Sequence, residues 1–424
     1  MISRRHANRP PTILTLPPTG PPPLPPTSPT TSSFFAERWS NAGPRKRWLI
    51  YLVTGNPGMI AYYDLFLSHL HFLLTAHPTL APGNAFEVFG RSLSGFESRG
   101  HEPGGGGWPA GAKARKGKGK GGATGKPPFG LKEQIDGVEW ALWDHVKGLG
   151  EGDGDGERVG RGGKEETNII VIGHSVGAYM ALEVVRRWRE SLRKKKAAKT
   201  SAQKPVANVG EKRAGELADA DVQEKEGGRI VGGVCLFPTV THIAKSSSGL
   251  KLTMLLDMVP NLPLIASLLA TLLTFFVPTL ILTELLALAL GHPSDAARVT
   301  AEFLKSPHGV QQALHMARDE LASINHDAWD AEVWGAADPS PVGAPRPKLF
   351  FLFGQQDHWV ADETRDELIK ARGRGRKDAE KWRPLMEVDE SGIPHGFCID
   401  PNHSITVAEK VARYIEDVVR EESA

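Results

Sequence analysis

The sequence has little cysteine, little excess charge of either sign, and no long apolar run near its start. Among its 424 residues only Cys235 and Cys398 are cysteines, too few for a disulfide framework and typical of a reducing compartment. Fifty-one basic and 49 acidic side chains leave a net charge of +2, so we expect no nucleic-acid partner. No apolar core follows the charged residues 1–10, so we expect no signal peptide.

The composition changes sharply along the chain. Residues 1–44 are dense in proline, which favours extended chain that packs against nothing. Residues 45–424 have the composition of one folded domain with three inserts, at 100–128, 148–166 and 191–228, which are rich in glycine, lysine, proline or charged residues and alanine. The inserts have too few apolar residues to offset the entropy of ordering, so we expect them and the tail to be disordered.

Continuous apolar runs alternate with segments of helical periodicity. Such runs are typical of strands buried on both faces, as in a parallel sheet. The strands expected in this way are 48–54, 86–89, 168–172, 230–237, 348–353 and 385–388, and the helices include 60–76, 131–146, 176–190 and 404–419. This alternation predicts a mostly parallel, doubly wound α/β sheet.

A nucleophile motif lies between one predicted strand and the following helix. Gly173-His174-Ser175-Val176-Gly177 fits G-x-S-x-G, and its strand–turn–helix context is the one that the nucleophile elbow of α/β-hydrolases requires. Ser175 is therefore the predicted nucleophile, and an ordinary helix N-cap is the alternative. His174 is interpreted as a packing or hydrogen-bonding residue.

A serine nucleophile needs a base and an acid that orients it, and in this fold they follow the serine in the order acid, then histidine. Asp357 comes after the strand 348–353, and His395 comes between the last strand and the last helix. They are the first choices for the acid and the base. Asp362 is the alternative acid, and His358 or His403 is the alternative base.

The developing oxyanion needs two backbone N–H donors. One is expected from Val176, directly after the nucleophile, and the other from the Gly55–Gly58 loop after the first strand of the domain. Pro57 has no N–H, so Asn56 is the first choice, with its side-chain amide as a further donor, and Gly58 is the second. No cysteine–histidine cluster has metal-ligand spacing, so we expect neither metal nor cofactor.

One long apolar segment, at about 250–292, is not explained by the sheet. Pro260, Pro263 and Pro278 divide it into pieces that are shorter than the ~20 residues of a membrane-spanning helix. We expect a helical hairpin, which is either a cap packed on the core or an anchor in a lipid surface. The two interpretations are compatible.

Four motifs together resemble the lipid-droplet-associated hydrolase family. They are Gly-Asn-Pro-Gly at 55–58 with Tyr62-Tyr63 and Phe66 after it, Gly-His-Ser-Val-Gly-Ala-Tyr at 173–179, Asp-His-Trp-Val at 357–360, and His-Gly-Phe at 395–397. The first and third are much more discriminating than G-x-S-x-G. The inserts and the proline-rich start depart from the resemblance.

The resemblance implies a serine hydrolase at the cytosolic face of lipid droplets and the endoplasmic reticulum. It implies activity on sterol esters or other neutral lipid esters, and it carries over Ser175, Asp357 and His395 as the triad. Two other functions stay open: a lipid-droplet structural or turnover-regulating protein with little hydrolysis, and a soluble hydrolase of small esters. The oligomeric state is not predicted.

Overall fold

The computed structural model describes residues 13–16, 46–96, 126–151, 166–202, 227–335, 340, 342, 344–374 and 382–423. Most of each predicted insert and of the proline-rich tail lies outside these residues, so the disorder expected there stays a prediction.

A 7-stranded sheet forms the centre of the described chain. The strands are β1 (Ile13–Leu16), β2 (Lys46–Val53), β3 (Asn84–Arg91), β4 (Thr167–His174), β5 (Gly228–Leu236), β6 (Lys348–Gly354) and β7 (Leu385–Asp389). Their order across the sheet is β1-β3-β2-β4-β5-β6-β7, with β1 antiparallel to β3 and the other neighbours parallel. The predicted fold class is confirmed.

The helices lie on both faces of the sheet and in one long excursion between β5 and β6. They are α1 (Asp64–Ala76), α2 (Leu131–Glu151), α3 (Val176–Ala202), α4 (Ser247–Met258), α5 (Leu262–Thr274), α6 (Thr279–Leu290), α7 (Ser294–Lys305), α8 (Gly309–Ser323), α9 (Ala331–Trp334), α10 (Asp362–Arg372) and α11 (Pro401–Glu421). Short 3-10 turns cover Ile60–Tyr63, Ala81–Gly83, Ile243–Lys245 and Phe397–Ile399.

The apolar runs of the central strands fill two cores at once. Successive side chains of a strand point to opposite faces, so Leu49 and Tyr51 of β2 pack with α2 and α3. Ile50 and Leu52 pack with α1 and α11 on the other face. Every residue of β4, the strand that leads to Ser175, is buried. Ser175, the predicted nucleophile, therefore directly follows a fully buried strand.

Four residues of the proline-rich tail belong to the fold. Ile13–Leu16 pairs with Arg91–Val88 of β3, and Leu14 and Leu16 pack against the core. The prediction of an unpacked tail over 1–44 is wrong here. The tetrapeptide between the flanking prolines is apolar enough to add an edge strand, and proline is tolerated at the ends of edge strands.

The inserts are shorter than the sequence predicts. α3 continues through Ala202, although residues from 191 onwards were expected to be a linker, and α2 continues through Glu151. Ser191 is buried and Leu192 packs against the core, so these turns of α3 have tertiary support. The following lysines and alanines are good helix formers, which explains the extension.

The apolar segment at 250–292 forms α4, α5 and α6, one helix more than the predicted hairpin. In the part of the chain that the structure describes, no single helix is long and apolar enough to cross a membrane. α4 and α5 meet that requirement only as a pair, and they are bent by 93°.

α8 and α7 tie this segment to the rest of the domain. Arg318 on α8 donates a hydrogen bond to the Pro260 carbonyl in the α4–α5 turn, at 2.8 Å. Lys305 on α7 donates to the carbonyls of Thr274 and Val277 at the α5–α6 turn. The breaks at the prolines thus gain partners for carbonyls that a continuous helix would have satisfied.

A pair of deletions tests where the third insert begins. We expect removal of residues 203–226, replaced by a glycine–serine link of about ten residues, to leave the melting temperature within about 2 °C. Removal of 191–228 takes away the buried Ser191, the partly buried Leu192 that packs against the core, and the start of β5, so it should lower the melting temperature by about 5 °C or more.

Differential scanning fluorimetry of the two variants beside the full chain provides the measurement. Equal melting temperatures for both deletions would contradict the assignment of 191–202 to the folded domain.

Candidate active site

Ser175 occupies a strained turn between β4 and α3. Its φ is 55°, a left-handed conformation that a non-glycine residue adopts at a cost of about 1–3 kcal/mol. A Cβ added to Gly173 would lie 2.3 Å from the Gly177 carbonyl oxygen, and one added to Gly177 would lie 2.4 Å from that of Val53. The two glycines of the motif are thus required because strand and helix backbones touch there.

The three predicted triad residues are hydrogen bonded to one another. Ser175 Oγ lies 2.9 Å from His395 Nε2, and His395 Nδ1 lies 2.7 Å from Asp357 Oδ2. The side chains of His395 and Asp357 are only 9% and 3% exposed. A carboxylate can only accept, so Nδ1 carries the proton and Nε2 is free to accept from the serine hydroxyl.

Local contacts fix the acid in its loop after β6. The second oxygen of Asp357 accepts the Trp359 N–H at 2.8 Å, and the Asp357 carbonyl accepts the Val360 N–H. A tight turn therefore directs the carboxylate toward His395.

The alternative acid and bases are not part of this hydrogen-bonded arrangement. Asp362 pairs with Arg365 at the start of α10, and His403 lies on α11 near Asp400. The ring centroid of His358 is 6.1 Å from that of His395, beside the triad and not within it. The sequence order therefore selected the three side chains that the fold brings together.

His174 is hydrogen bonded to the backbone of His395. Its Nε2 donates to the His395 carbonyl at 2.8 Å, so its Nδ1 accepts from the Tyr63 hydroxyl at 2.7 Å. Tyr63 in turn accepts the Gly55 N–H at 3.0 Å. Burial, followed by the nearby His395, lowers the pKa of His174 to about 3, so its ring stays neutral. A chain of hydrogen bonds thus connects the Gly55–Gly58 loop to the backbone of His395.

The two predicted oxyanion donors flank Ser175. Val176 is the first residue of α3, where N–H groups have no partner within the helix. Among the described residues, none accepts a hydrogen bond from the backbone N–H of Asn56. The Asn56 side-chain amide, in contrast, is already bonded to Ala313 and Glu320 on α8 and is not a free donor. Gly58 packs against Leu93 and does not line the cavity.

A cavity of about 460 Å³ opens above Ser175. Its wall is mostly apolar and includes Leu252 of α4, Phe303 of α7 and Leu321 of α8. The excursion between β5 and β6 therefore supplies the roof of the site. Cavities of this size and character hold small organic ligands.

Sequence reasoning missed one ionisable group in this wall. Glu320 lines the cavity, is 5% exposed, and accepts a hydrogen bond from Asn56. Burial, reinforced by neighbouring Asp319, raises the pKa of its carboxyl to about 8. Gln312, Met316 and Glu320 follow one another at intervals of four residues, so they share one face of α8, and that face is buried. The signal in the sequence was this spacing, which places two polar residues in line with a methionine.

A mostly parallel sheet with helices on both faces, and a serine at the elbow after β4, define an α/β-hydrolase. Residues 46–398 match the family model of the lipid-droplet associated hydrolases. This span is well over half of the chain, which therefore belongs to the lipid-droplet-associated hydrolase family. The resemblance noted from the sequence is confirmed, and the protein is a hydrolase by family.

Three of the solved structures with detectable similarity are hydrolases of low sequence identity. A carboxylesterase of Nitrososphaera gargenis shares 12% identity, with a TM-score of 0.43, over 89% of this chain and 93% of that one. A 2-hydroxy-6-oxo-6-phenylhexa-2,4-dienoate hydrolase from Rhodococcus shares 12%, at 0.40, over 87% and 91%. A laboratory evolved potato epoxide hydrolase shares 13%, at 0.40, over 88% and 94%.

The close approach at Gly177 gives a test of the elbow. A methyl group in Gly177→Ala would meet the carbonyl oxygens of Val53 and Thr54 at 2.4 and 2.5 Å. We expect this variant to lose about 1–3 kcal/mol of stability or more and to hydrolyse esters poorly, since β2 or α3 must shift. Chemical denaturation and an ester assay provide the two measurements.

Gly148→Ala is the matched control, because Gly148 lies on α2 with open space around the added methyl. It should be neutral or stabilising by about 0.5–1 kcal/mol, since alanine is the better helix former. A Gly177→Ala protein as stable and active as Gly148→Ala would rule out the tight elbow.

Proposed function

We propose that this hydrolase cleaves neutral lipid esters, among them sterol esters, through an acyl-enzyme on Ser175, while attached to the surface of lipid droplets and the endoplasmic reticulum. The hydrogen-bonded Ser175–His395–Asp357 arrangement supports the chemistry. One further observation carries the choice of a lipid substrate: the wall of the cavity above Ser175 continues into a large exposed apolar surface.

In the proposed first half-reaction, Ser175 Oγ attacks the ester carbonyl carbon while its proton passes to His395 Nε2. Asp357, bonded to Nδ1, stabilises the imidazolium that forms. The carbonyl oxygen takes the electron pair of the broken π bond and accepts N–H bonds from Val176 and Asn56. Collapse of this intermediate breaks the bond to the alcohol, which leaves with the proton from His395.

In the second half-reaction, water attacks the acyl group on Ser175 and gives its proton to His395. The oxyanion forms again in the same place. When the bond to Ser175 Oγ breaks, the serine recovers its proton from His395 and the carboxylic acid is released. Each proton is thus taken and returned by one histidine.

The exposed surface consists of α4, α5, α6 and the turn between the last two, and we call it the apolar cap surface. Its exposed side chains are Leu250, Met254, Leu255, Met258, Leu264, Ile265, Leu268, Leu269, Leu272, Leu273, Phe275, Phe276, Leu280, Ile281, Leu285, Leu288 and Leu290. Phe276 and Leu288 are 86% and 85% exposed. No charged residue occurs between Asp257 and Glu284. So many exposed apolar side chains on three consecutive helices are typical of an interaction site.

A lipid monolayer is the partner that fits this surface best. Three short helices broken at prolines suit a segment that enters one leaflet and returns. Leu252, on α4, lines the cavity, so attachment through the apolar cap surface would bring the active site to esters dissolved in the lipid. The mostly apolar cavity wall suits an acyl chain.

The nucleophile is tested with a fluorophosphonate probe and an ester assay on purified protein. We expect Ser175→Ala to abolish labelling and to lower hydrolysis about a thousandfold or more, because the members of a triad act as a unit. Ser323→Ala, at the exposed end of α8, is the control and should behave like wild type. Turnover in Ser175→Ala at the wild-type rate would contradict the assignment of Ser175 as the nucleophile.

The substrate class is tested in cells that express wild type or Ser175→Ala in place of the native protein. Lipidomic comparison should show accumulation of one or more neutral lipid ester classes with the inactive variant. If the probe labels Ser175 but the lipid classes do not change, a structural or turnover-regulating role is favoured instead.

Attachment is tested by replacing Leu268, Leu272 and Phe276 with glutamate. These side chains are exposed, so the fold should survive, while three charges placed against hydrocarbon should prevent flotation with lipid droplets. A matched variant replaces Leu65, Phe72 and Trp382, which are exposed outside the apolar cap surface, and should still float.

If the first variant floats as well as the second, the apolar cap surface is not the anchor. If wild type itself remains in the soluble fraction yet cleaves short esters, the protein is a small-ester hydrolase with an ordinary cap.

A further inference from the structure

The Gly55–Gly58 loop contacts two parts of the domain: the turn at Ser175 after β4, and α8 in the excursion between β5 and β6. Close to the nucleophile, a Cβ added to Gly55 would lie 3.1 Å from Ser175 Cβ. On the far side, Asn56 Nδ2 donates to the Ala313 carbonyl at 2.9 Å and to Glu320 Oε1 at 3.0 Å. Both acceptors lie on α8. The side chain of Asn56 therefore fixes the residue whose backbone N–H we assign to the oxyanion.

Glu320 is an unusual acceptor for this position. It is buried in the cavity wall, and no positively charged side chain pairs with it among the described residues. Loss of hydration and, to a smaller extent, the Asp319 charge raise its pKa, the Asn56 hydrogen bond lowers it, and the net pKa is about 8. At neutral pH the carboxyl is mostly protonated, so it can hold Asn56 without placing a negative charge beside the site where the oxyanion forms.

The other titratable residues of the cavity wall are two tyrosines, one cysteine and four histidines. Burial raises the pKa values of Tyr62, Tyr63 and Cys398, so these cavity residues are neutral. The histidines around the cavity are His174, His292, His358 and His395.

The elements packed against α8 add little charge near Glu320. α5 has no titratable side chain. Lys245, Lys251 and Asp257, on the turn before α4 and on α4 itself, are exposed to solvent. Lys305 of α7 is bonded to the α5–α6 turn, and Glu133 of α2 accepts the Gly130 N–H.

We propose that Glu320 is a positioning residue for ester hydrolysis: its carboxyl accepts a hydrogen bond from the Asn56 amide, holds Asn56 against α8 and so sets the oxyanion-binding N–H. This inference rests on the proposed function, because it presumes an oxyanion formed at Ser175. It adds a residue of α8, in the excursion between β5 and β6 that we call the cap excursion, to a site whose other residues follow strands of the sheet. A carboxylate at the same place would oppose the developing negative charge of the transition state.

The first experiment measures kcat and KM of the full chain on p-nitrophenyl butyrate, a short ester that needs no lipid surface. We expect Glu320→Ala to lower kcat about tenfold with little change in KM, since the oxyanion exists only after attack. Glu320→Gln keeps an oxygen acceptor for Asn56 and should recover most of the loss. Met316→Ala, a buried truncation one turn away on α8, is the matched control and should lower stability but not kcat.

A double-mutant cycle tests whether the effect passes through Asn56. If it does, Glu320→Ala should cost nothing further in an Asn56→Ala background. Additive losses, or a Met316→Ala protein with the same drop in kcat, would show that Glu320 only supports the fold.

The pH profile separates the neutral from the ionised carboxyl. Wild-type kcat should fall as pH rises through the Glu320 pKa of about 8, whereas Glu320→Gln should keep its activity to higher pH. The stability of the fold should follow the same group. The unfolded carboxyl ionises near its usual pKa of 4.5, so the melting temperature of wild type relative to Glu320→Gln should decline between about pH 5 and pH 8. A difference that does not vary with pH would overturn the neutral state.

Fluorophosphonate labelling of every variant distinguishes failure of the proposed function from failure of the Glu320 proposal alone. If wild type is neither labelled at Ser175 nor active, the proposed function fails and the role of Glu320 fails with it. If all variants are labelled and Glu320→Ala keeps wild-type kcat, only the Glu320 proposal is wrong.

Discussion

Contact between backbones at the elbow is the constraint on which the site depends. Gly177, in the first turn of α3, lies so close to β2 that a methyl group there would meet the carbonyls of Val53 and Thr54. This approach forces the turn at Ser175 into a left-handed conformation, and the buried β4 behind it prevents relaxation. The hydroxyl is thereby presented above the sheet at a position that the core determines. The local strain is tolerated because two apolar cores pack against the same strands.

A polar network then joins the elements that surround the serine. Tyr63 and His174 connect the Gly55 N–H to the His395 carbonyl, and Asn56 connects the same loop to α8. In a buried site each of these groups would cost free energy if left without a partner, so the network holds its members in one arrangement. The loop after β2, the histidine loop and the cap excursion are therefore positioned relative to one another before any ester is bound.

The cap excursion, between β5 and β6, has one part that packs in the interior and another that is exposed to solvent. Its α8 contributes Gln312, Met316 and Glu320 to the interior, while α4, α5 and α6 expose leucine, methionine and phenylalanine side chains. Arg318 and Lys305 satisfy the carbonyls at the turns between those exposed helices. A surface so apolar is unfavourable in water, and contact with lipid would remove that cost. The same excursion roofs the cavity, so the proposed anchor and the proposed binding site are one structural unit.

The sequence by itself determined the parallel sheet, the elbow and the order of Ser175, Asp357 and His395, because continuous apolar runs, a glycine-flanked serine and turn residues are local patterns. It also led to the family, through short motifs that follow one another in order with the inserts between them. Tertiary structure alone decided that residues 13–16 add an edge strand and that the Asn56 amide is bonded to α8. It alone placed Glu320 in the cavity wall. Each of these features depends on contacts between residues that are far apart in the sequence. The periodicity of one segment does not specify which other segment it will pack against.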